Sequence, residues 1–278
     1  KHDNAGFAAM LKDMDTSFGE LLSLLQELEI EDNTYVFLLA DNGSVHYFTQ
    51  TAILGECTEV LDTHETAVEW RNEPLRHGKH EYYEGGIRVP FLALGPGIKP
   101  DSVSRVPVTG LDLLPTFAEL AGNDEELPDD LDGGSLMDLL HRGKKGEVKR
   151  SREALFFHQS AMRPAASAMR KGNYKLVKFW RAGKPKLEGK SRFFIRNLGD
   201  KPLELYDLSK DLEEQYDLSD ELPELANEMN EELISFLKET NAETVYTARK
   251  NPYNLLNRRE NLPNAKDMVI PMEYVSPF

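Results

Sequence analysis

The stretch Thr34-Tyr35-Val36-Phe37-Leu38-Leu39-Ala40-Asp41-Asn42-Gly43 limits what this chain can fold into more than any other. Seven residues suited to a strand buried on both faces stop abruptly at a carboxylate, a carboxamide and a glycine. Ligands of open α/β sheets bind beyond the carboxyl ends of the strands, so two hard oxygen donors at such an end suit a cation. The same three residues are turn formers, and on their own they leave an ordinary turn and a metal position both open.

Ahead of this strand, Met10, Met14, Phe18, Leu21, Leu25 and Leu28 recur at intervals of three and four, with Lys12, Asp13, Glu20 and Gln26 between them. That spacing predicts an amphipathic helix from Ala5 to Leu28 that needs a sheet to lie on. The polar turn Glu31-Asp32-Asn33 joins it to the strand, which makes half of a parallel crossover unit. A second buried strand is predicted over Val89 to Leu94, entered through a glycine turn at Gly85-Gly86, with Pro90 near its start. Thr109 to Ala121 reads as a short helix with Leu111, Leu114, Phe117, Ala118 and Ala121 on one face, kinked or begun near Pro115.

An acidic run from Asp124 to Asp132 and a basic run from Arg142 to Arg150 carry few apolar anchors, which places a linker over residues 126–150. Residues 1–125 then form an α/β domain and residues 151–240 a smaller one, followed by an irregular tail over 241–278. In the smaller domain Leu155–Phe157, Ala165–Met169, Tyr174–Trp180, Arg192–Arg196 and Leu203–Leu208 read as strands of an antiparallel sheet, with a hairpin turn at Lys171-Gly172-Asn173. A helix follows, with Ser219 or Asp220 near its cap, Pro223 in its first turn, and Leu225, Met229, Leu233, Phe236 and Leu237 on one face.

The net charge of -15 argues against general nucleic-acid binding, because a phosphate backbone would be repelled over most of the surface. No apolar run approaches the ~20 residues of a membrane helix. Within this acidic chain Arg76, His77, Lys79, His80 and Arg88 cluster, and such a cluster suits a small anion. The single cysteine, Cys57, has no partner for an internal disulfide and reads as a small buried residue.

Three features converge: Asp41-Asn42-Gly43 at a strand end, Gly78-Lys79 in a basic loop, and Glu84-Gly85-Gly86-Ile87-Arg88-Val89-Pro90 leading into the next strand. Together they resemble the second half of a type I, formylglycine-dependent sulfatase of the alkaline-phosphatase-like superfamily. The resemblance continues through Asp112-Leu113-Leu114-Pro115-Thr116, Arg170-Lys171-Gly172-Asn173-Tyr174 and Glu204-Leu205-Tyr206-Asp207-Leu208, in family order over roughly residues 5–240. It implies part of an alkaline-phosphatase-like sandwich, a mostly parallel sheet between helices, plus a C-terminal subdomain with an antiparallel sheet and a helix. It implies hydrolysis of sulfate esters, with sulfated carbohydrate as the expected substrate and a secreted or periplasmic setting.

Residue by residue, the resemblance implies that Asp41 and Asn42 ligate Ca2+ and that Lys79 points its ammonium at the sulfate. A lysine there would stabilise charge developing on the ester oxygens. Glu84, Gly85, Gly86 and Arg88 are expected to be structural, with Arg88 pairing Glu84 or a helix end. His46, His77, His80, His158 and Arg163 are weaker candidates for a sugar pocket. The family's formylglycine arises from a Cys/Ser-x-Pro/Ala-x-Arg motif, and Cys57-Thr58-Glu59 does not match it. The nucleophile, two further metal-binding aspartates and other sulfate-binding residues are therefore expected on an N-terminal half outside these residues, and the chain alone is expected to be inactive. Two alternatives remain: a phosphodiesterase or phosphonate hydrolase of the same superfamily, and a non-catalytic sulfated-glycan-binding fragment. Asp41-Asn42 in place of Asp-His favours a single hard ion over the transition-metal pair of the first.

Overall fold

The computed structural model describes residues 5–44, 72–123, 127–160, 165–180 and 201–243. Cys57, His46, Arg163, the strand expected at Arg192–Arg196 and most of the C-terminal tail lie outside them. The chain divides into two units, and among the described residues the first takes those up to Asp41 and Val89–Glu153, the second Asn42–Ser44, those up to Arg88, and those from Ala154 onward. No helix among the described residues is long and apolar enough to cross a membrane.

In the first unit the expected helix forms as α1 (Ala5–Glu27), and the expected strands form as β1 (Val36–Leu39) and β2 (Phe91–Leu94). Pro90 stands just before β2, where its missing N–H costs no ladder bond, and its carbonyl accepts from the Ala40 N–H at 3.3 Å. Two expectations change. The strands pair antiparallel, Val36 opposite Leu94 and Leu39 opposite Phe91, so the described sheet contains no parallel crossover. β1 is also half-buried along its whole length, not enclosed on both faces. Among the described residues α1 is ~35 Å long and each four-residue strand spans ~13 Å, so two strands leave much of the helix face open. Met10 is accordingly 68% exposed.

The helix expected over Thr109–Ala121 begins as a 3-10 turn at Gly110–Asp112 and continues as α3 (Leu113–Leu120), numbered after the one-turn α2 (Glu84–Ile87) of the second unit. The face chosen for its core is turned outward: Leu111 and Leu114 are exposed, and the buried residues are Asp112, Pro115 and Thr116. Asp112 explains this. Its carboxylate takes the Thr109 and Gly134 N–H groups at 2.7 and 3.0 Å and both Nε and Nη2 of Arg150 at 2.8 and 2.6 Å. The Thr116 hydroxyl in turn accepts the Leu136 N–H at 2.9 Å. Residues 127–150, read as a linker from their charge, therefore hold a packed helix, α4 (Met137–Arg142), with Leu136, Met137 and Leu139 buried. The last arginine of the basic run is an inward-facing ion-pair partner.

The second unit is built on a four-stranded antiparallel sheet, β3 (Leu155–Gln159), β4 (Ala166–Lys171), β5 (Tyr174–Phe179) and β6 (Leu203–Asp207), in that order. Gly172 at φ 57° supplies the left-handed residue that the tight β4–β5 turn requires. Helix α5 (Pro223–Glu239) begins on its proline, as expected, but its cap is Leu222 without a side-chain bond. Ser219 is bonded instead to Asp217, and Asp220 to Lys201. One row of the sheet, Phe156, Met169, Leu176 and Leu205, packs on Met229, Leu233 and Leu237 of α5. Side chains alternate along each strand, so the opposite face carries Ala168, Val177 and Tyr206, covered by Tyr82 and Tyr83.

That second face also buries charge. Lys175, with no exposed surface, places Nζ 3.0 Å from Glu84 Oε1 and 2.7 Å from Glu214 Oε1. Glu84 also pairs with Arg88 at 3.2 Å and Arg170 at 3.6 Å, and its backbone N–H donates to Glu214 Oε2 at 2.6 Å. Burial pushes the Glu84 carboxyl up, yet Lys175, Arg170 and Arg88 together hold it below the ordinary carboxylate value. Glu214 is raised by burial and by the neighbouring Glu84, against the pull of Lys175. A lowered folded pKa adds stability above the ordinary carboxylate range and loses it as pH falls; a raised one works in the opposite sense. Lys175→Met leaves two buried carboxylates facing each other and is expected to cost about 3–5 kcal/mol at neutral pH. In urea denaturation the deficit is expected to shrink as the pH is lowered through the carboxylate range, where protonation relieves the repulsion.

Candidate functional site at the Asp41-Asn42-Gly43 strand end

Just beyond β1 the chain passes through Asp41, which is exposed, and Asn42, which is half-buried. The Asn42 amide nitrogen donates to the Gly43 carbonyl at 3.0 Å. Its oxygen is thereby the atom left for a ligand, which is the donor a hard cation takes. Among the described residues no three His, Cys, Asp or Glu side chains gather as a metal site, so Asp41 and Asn42 are a partial donor set. They fit a calcium ion in chemistry and fall short of its six to eight oxygens in number.

Gly43 is required by close approach. Its N–H donates to the Gly86 carbonyl at 2.9 Å, and a Cβ built on it would lie 1.7 Å from the Gly85 oxygen. Gly85 is equally confined: its N–H donates to the Arg76 carbonyl at 2.9 Å, and a Cβ there would meet the Arg76 and His77 oxygens at 2.3 Å. The two glycine motifs of the sequence are thus one contact within the second unit, in which Gly43, helix α2 and the loop before Lys79 touch backbone to backbone. The turn expected at Gly85-Gly86 is this single helical turn, and Arg88 pairs with Glu84 as expected.

Lys79 is half-buried in the loop that rests on this contact, and its N–H donates to the Ser44 carbonyl at 3.1 Å. Asn72 completes the arrangement. Its carboxamide oxygen accepts the Ser44 N–H at 3.2 Å, and its nitrogen donates to the Ser44 and His77 carbonyls at 2.9 and 2.8 Å. Arg76 lies over the Tyr83 ring at 3.9 Å and donates to the Tyr206 hydroxyl at 2.9 Å and the Glu214 carbonyl at 2.7 Å. Both phenols donate to Glu204 Oε2, Tyr83 at 2.7 Å and Tyr206 at 2.8 Å, and burial followed by the Glu204 charge pushes their pKa values up, so they stay protonated donors. The loop carrying Lys79 is therefore braced on the sheet.

The remaining candidates separate. His77 sits in the same loop at φ 58°, 5.1 Å from the Tyr83 ring, and His80 is exposed at φ 77°. His158 belongs to the α5 face of the sheet, opposite Tyr83, where its Nδ1 meets the Ser167 hydroxyl and its Nε2 the Glu243 carbonyl, both at 2.7 Å. The structure brings Asn42, His77 and Lys79 into one loop cluster and leaves His158 outside it. Asn72 and Glu214 were not singled out from the sequence, and Arg76, expected in an anion-binding cluster, instead donates to Tyr206 and Glu214. Asn72 stands two residues before Pro74, an unremarkable turn signal, and nothing near Glu214 in the sequence marks it as buried. Gly43→Ala is expected to destabilise the second unit by about 3 kcal/mol, the upper range for overpacking, because the obstructing atoms are backbone. Thermal unfolding of the variant beside a surface Gly110→Ala control, where a Cβ meets nothing, measures this.

Residues 4–123 match the sulfatase family model. A sulfatase from Formosa agariphila is 30% identical over 273 residues, covering 91% of this chain and 44% of its own length. Human arylsulfatase A is 34% identical over 222 residues, covering 76% of this chain and 38% of its own. A Bacteroides thetaiotaomicron structure, solved in work on the metabolism of multiple glycosaminoglycans, superposes with a TM-score of 0.59 at 26% identity, over 80% of this chain and 42% of its own. The chain thus spans less than half the length of the relatives it matches. Motif order, loop geometry and these likenesses agree, and the chain belongs to the sulfatase family and its alkaline-phosphatase-like fold.

Proposed function

We propose that this chain is the part of a sulfuric ester hydrolase that carries the sulfate-binding Lys79 and two ligands, Asp41 and Asn42, of a calcium ion, and that its substrate is a sulfated carbohydrate. The observation that carries the reading is the tie between Lys79 and the strand end, through the Ser44 carbonyl and the glycine contact behind it. The carbohydrate class is supported by the likeness to a structure from glycosaminoglycan metabolism and by the basic loop around Arg76, His77 and Lys79.

In this reading Lys79 supplies a point charge beside the scissile ester. Negative charge grows on the ester and leaving oxygens as the sulfur–oxygen bond breaks, and a fixed ammonium stabilises the transition state more than the ground state. The braced loop keeps that charge from having to reorganise during the reaction. Asp41 and Asn42 would hold the cation through oxygen, and when bound it contributes Lewis-acid stabilisation of the sulfate oxygens. The nucleophile, a formylglycine, and the remaining cation ligands are supplied by a segment outside these residues.

Lys79→Ala in the full-length protein is expected to lower kcat by ~10²–10³-fold on para-nitrophenyl sulfate, the cost of removing one donor aimed at developing charge. Chelation of calcium is expected to abolish turnover, with recovery on adding Ca2+ and none on adding Zn2+; recovery by zinc or manganese would favour a phosphodiesterase instead. Sulfate release by this chain alone would overturn the assignment of the nucleophile to another segment.

A further inference from the structure

Asn72 is the one side chain that joins the strand end to the Lys79 loop by hydrogen bonds at both ends, among the bonds described for these two segments. Its three partners are all backbone groups: the N–H and the carbonyl of Ser44, and the carbonyl of His77. The same Ser44 carbonyl takes the Lys79 N–H at 3.1 Å. Ser44 is two residues from Asn42, and His77 two residues from Lys79. One planar carboxamide therefore fixes the spacing between a cation ligand and the sulfate-binding lysine.

The chemistry of the three bonds selects the residue type. They need an acceptor and a doubly donating nitrogen on one short stem, which asparagine provides. Aspartate would keep the bond from the Ser44 N–H but turn a carboxylate oxygen toward two carbonyls. Alanine would provide neither function. Asn72 itself is half-buried and is not a member of either hydrophobic cluster of the second unit, and the Gly43–Gly86 and Gly85–Arg76 backbone bonds persist without it. Its removal would therefore loosen the loop locally and leave the fold in place.

We propose that Asn72 is a positioning residue of the sulfatase reaction, acting through Lys79; the proposal rests on the assignment of Lys79 made above. A misplacement of ~1 Å is enough to cost ~10²-fold in rate, so truncating the clamp is expected to act on kcat. The test is a double-mutant cycle in the full-length protein with para-nitrophenyl sulfate as substrate. Asn72→Ala is expected to lower kcat by ~10–100-fold with KM changed less than ~3-fold, and to have almost no further effect in a Lys79→Ala background. An equal loss in both backgrounds would show a merely structural role and overturn the proposal, as would an unchanged kcat for Asn72→Ala beside an impaired Lys79→Ala. An unimpaired Lys79→Ala would instead remove the assignment of Lys79, and this proposal with it. Thermal unfolding of each variant reports folding, and if Asn72→Ala does not fold the same cycle is run with Asn72→Ser, judged by the same outcomes.

Discussion

A lysine ammonium with no exposed surface, held between the carboxylates of Glu84 and Glu214, is the constraint from which the second unit takes its arrangement. Lys175 lies on the face of the sheet away from α5, where an apolar side chain would ordinarily sit, and its charge is tolerable there only with both partners present. Glu84 begins the helical turn that contains Gly85 and Gly86, so satisfying Lys175 also fixes that turn against β5. Gly85 and Gly86 then receive the strand end at Gly43. The buried charges of Lys175, Glu84 and Glu214 thus fix the turn on which the loop before Lys79 rests.

The periodic elements were legible because one physical rule governed each of them. Met229, Leu233 and Leu237 repeat at helical spacing, and they bury where that spacing places them. The four described strands of the second unit pair antiparallel as their spacing predicts, and Gly172 marks the β4–β5 turn. What was not legible was the identity of charges that turn inward. Arg150 closes a basic run and reads as solvated surface, yet Asp112, nearly forty positions earlier, draws it inside with two hydrogen bonds. Lys175 shares its face of β5 with the apolar Val177 and Phe179, and nothing local marks that its partners are Glu84 and Glu214. Pairings over such separations are tertiary facts, invisible to any window of a dozen residues.

The first unit shows a different reason for a missed expectation. Val36–Leu39 has the composition of a strand enclosed on both faces, and that composition is a property of the whole sheet in which it serves. With two described strands, the same residues remain half-buried and the α1 side chains Met10 and Met14 remain in solvent. For the candidate site, motif order pointed to Asp41, Asn42 and Lys79, and Gly43 entered only as a turn former. Gly43 makes room for the Gly85 carbonyl, a distinction that depends on coordinates and not on residue type.

Because the contact between Gly43 and Gly85 is made by main chain alone, it is indifferent to what the surrounding side chains are. The bonds from Gly43 to Gly86 and from Gly85 to Arg76 run from main chain to main chain, so their geometry is set by the backbone of these residues. Any side chain at Gly43 or Gly85 would have to displace backbone atoms, so these two positions tie the loop to glycine whatever stands beside them.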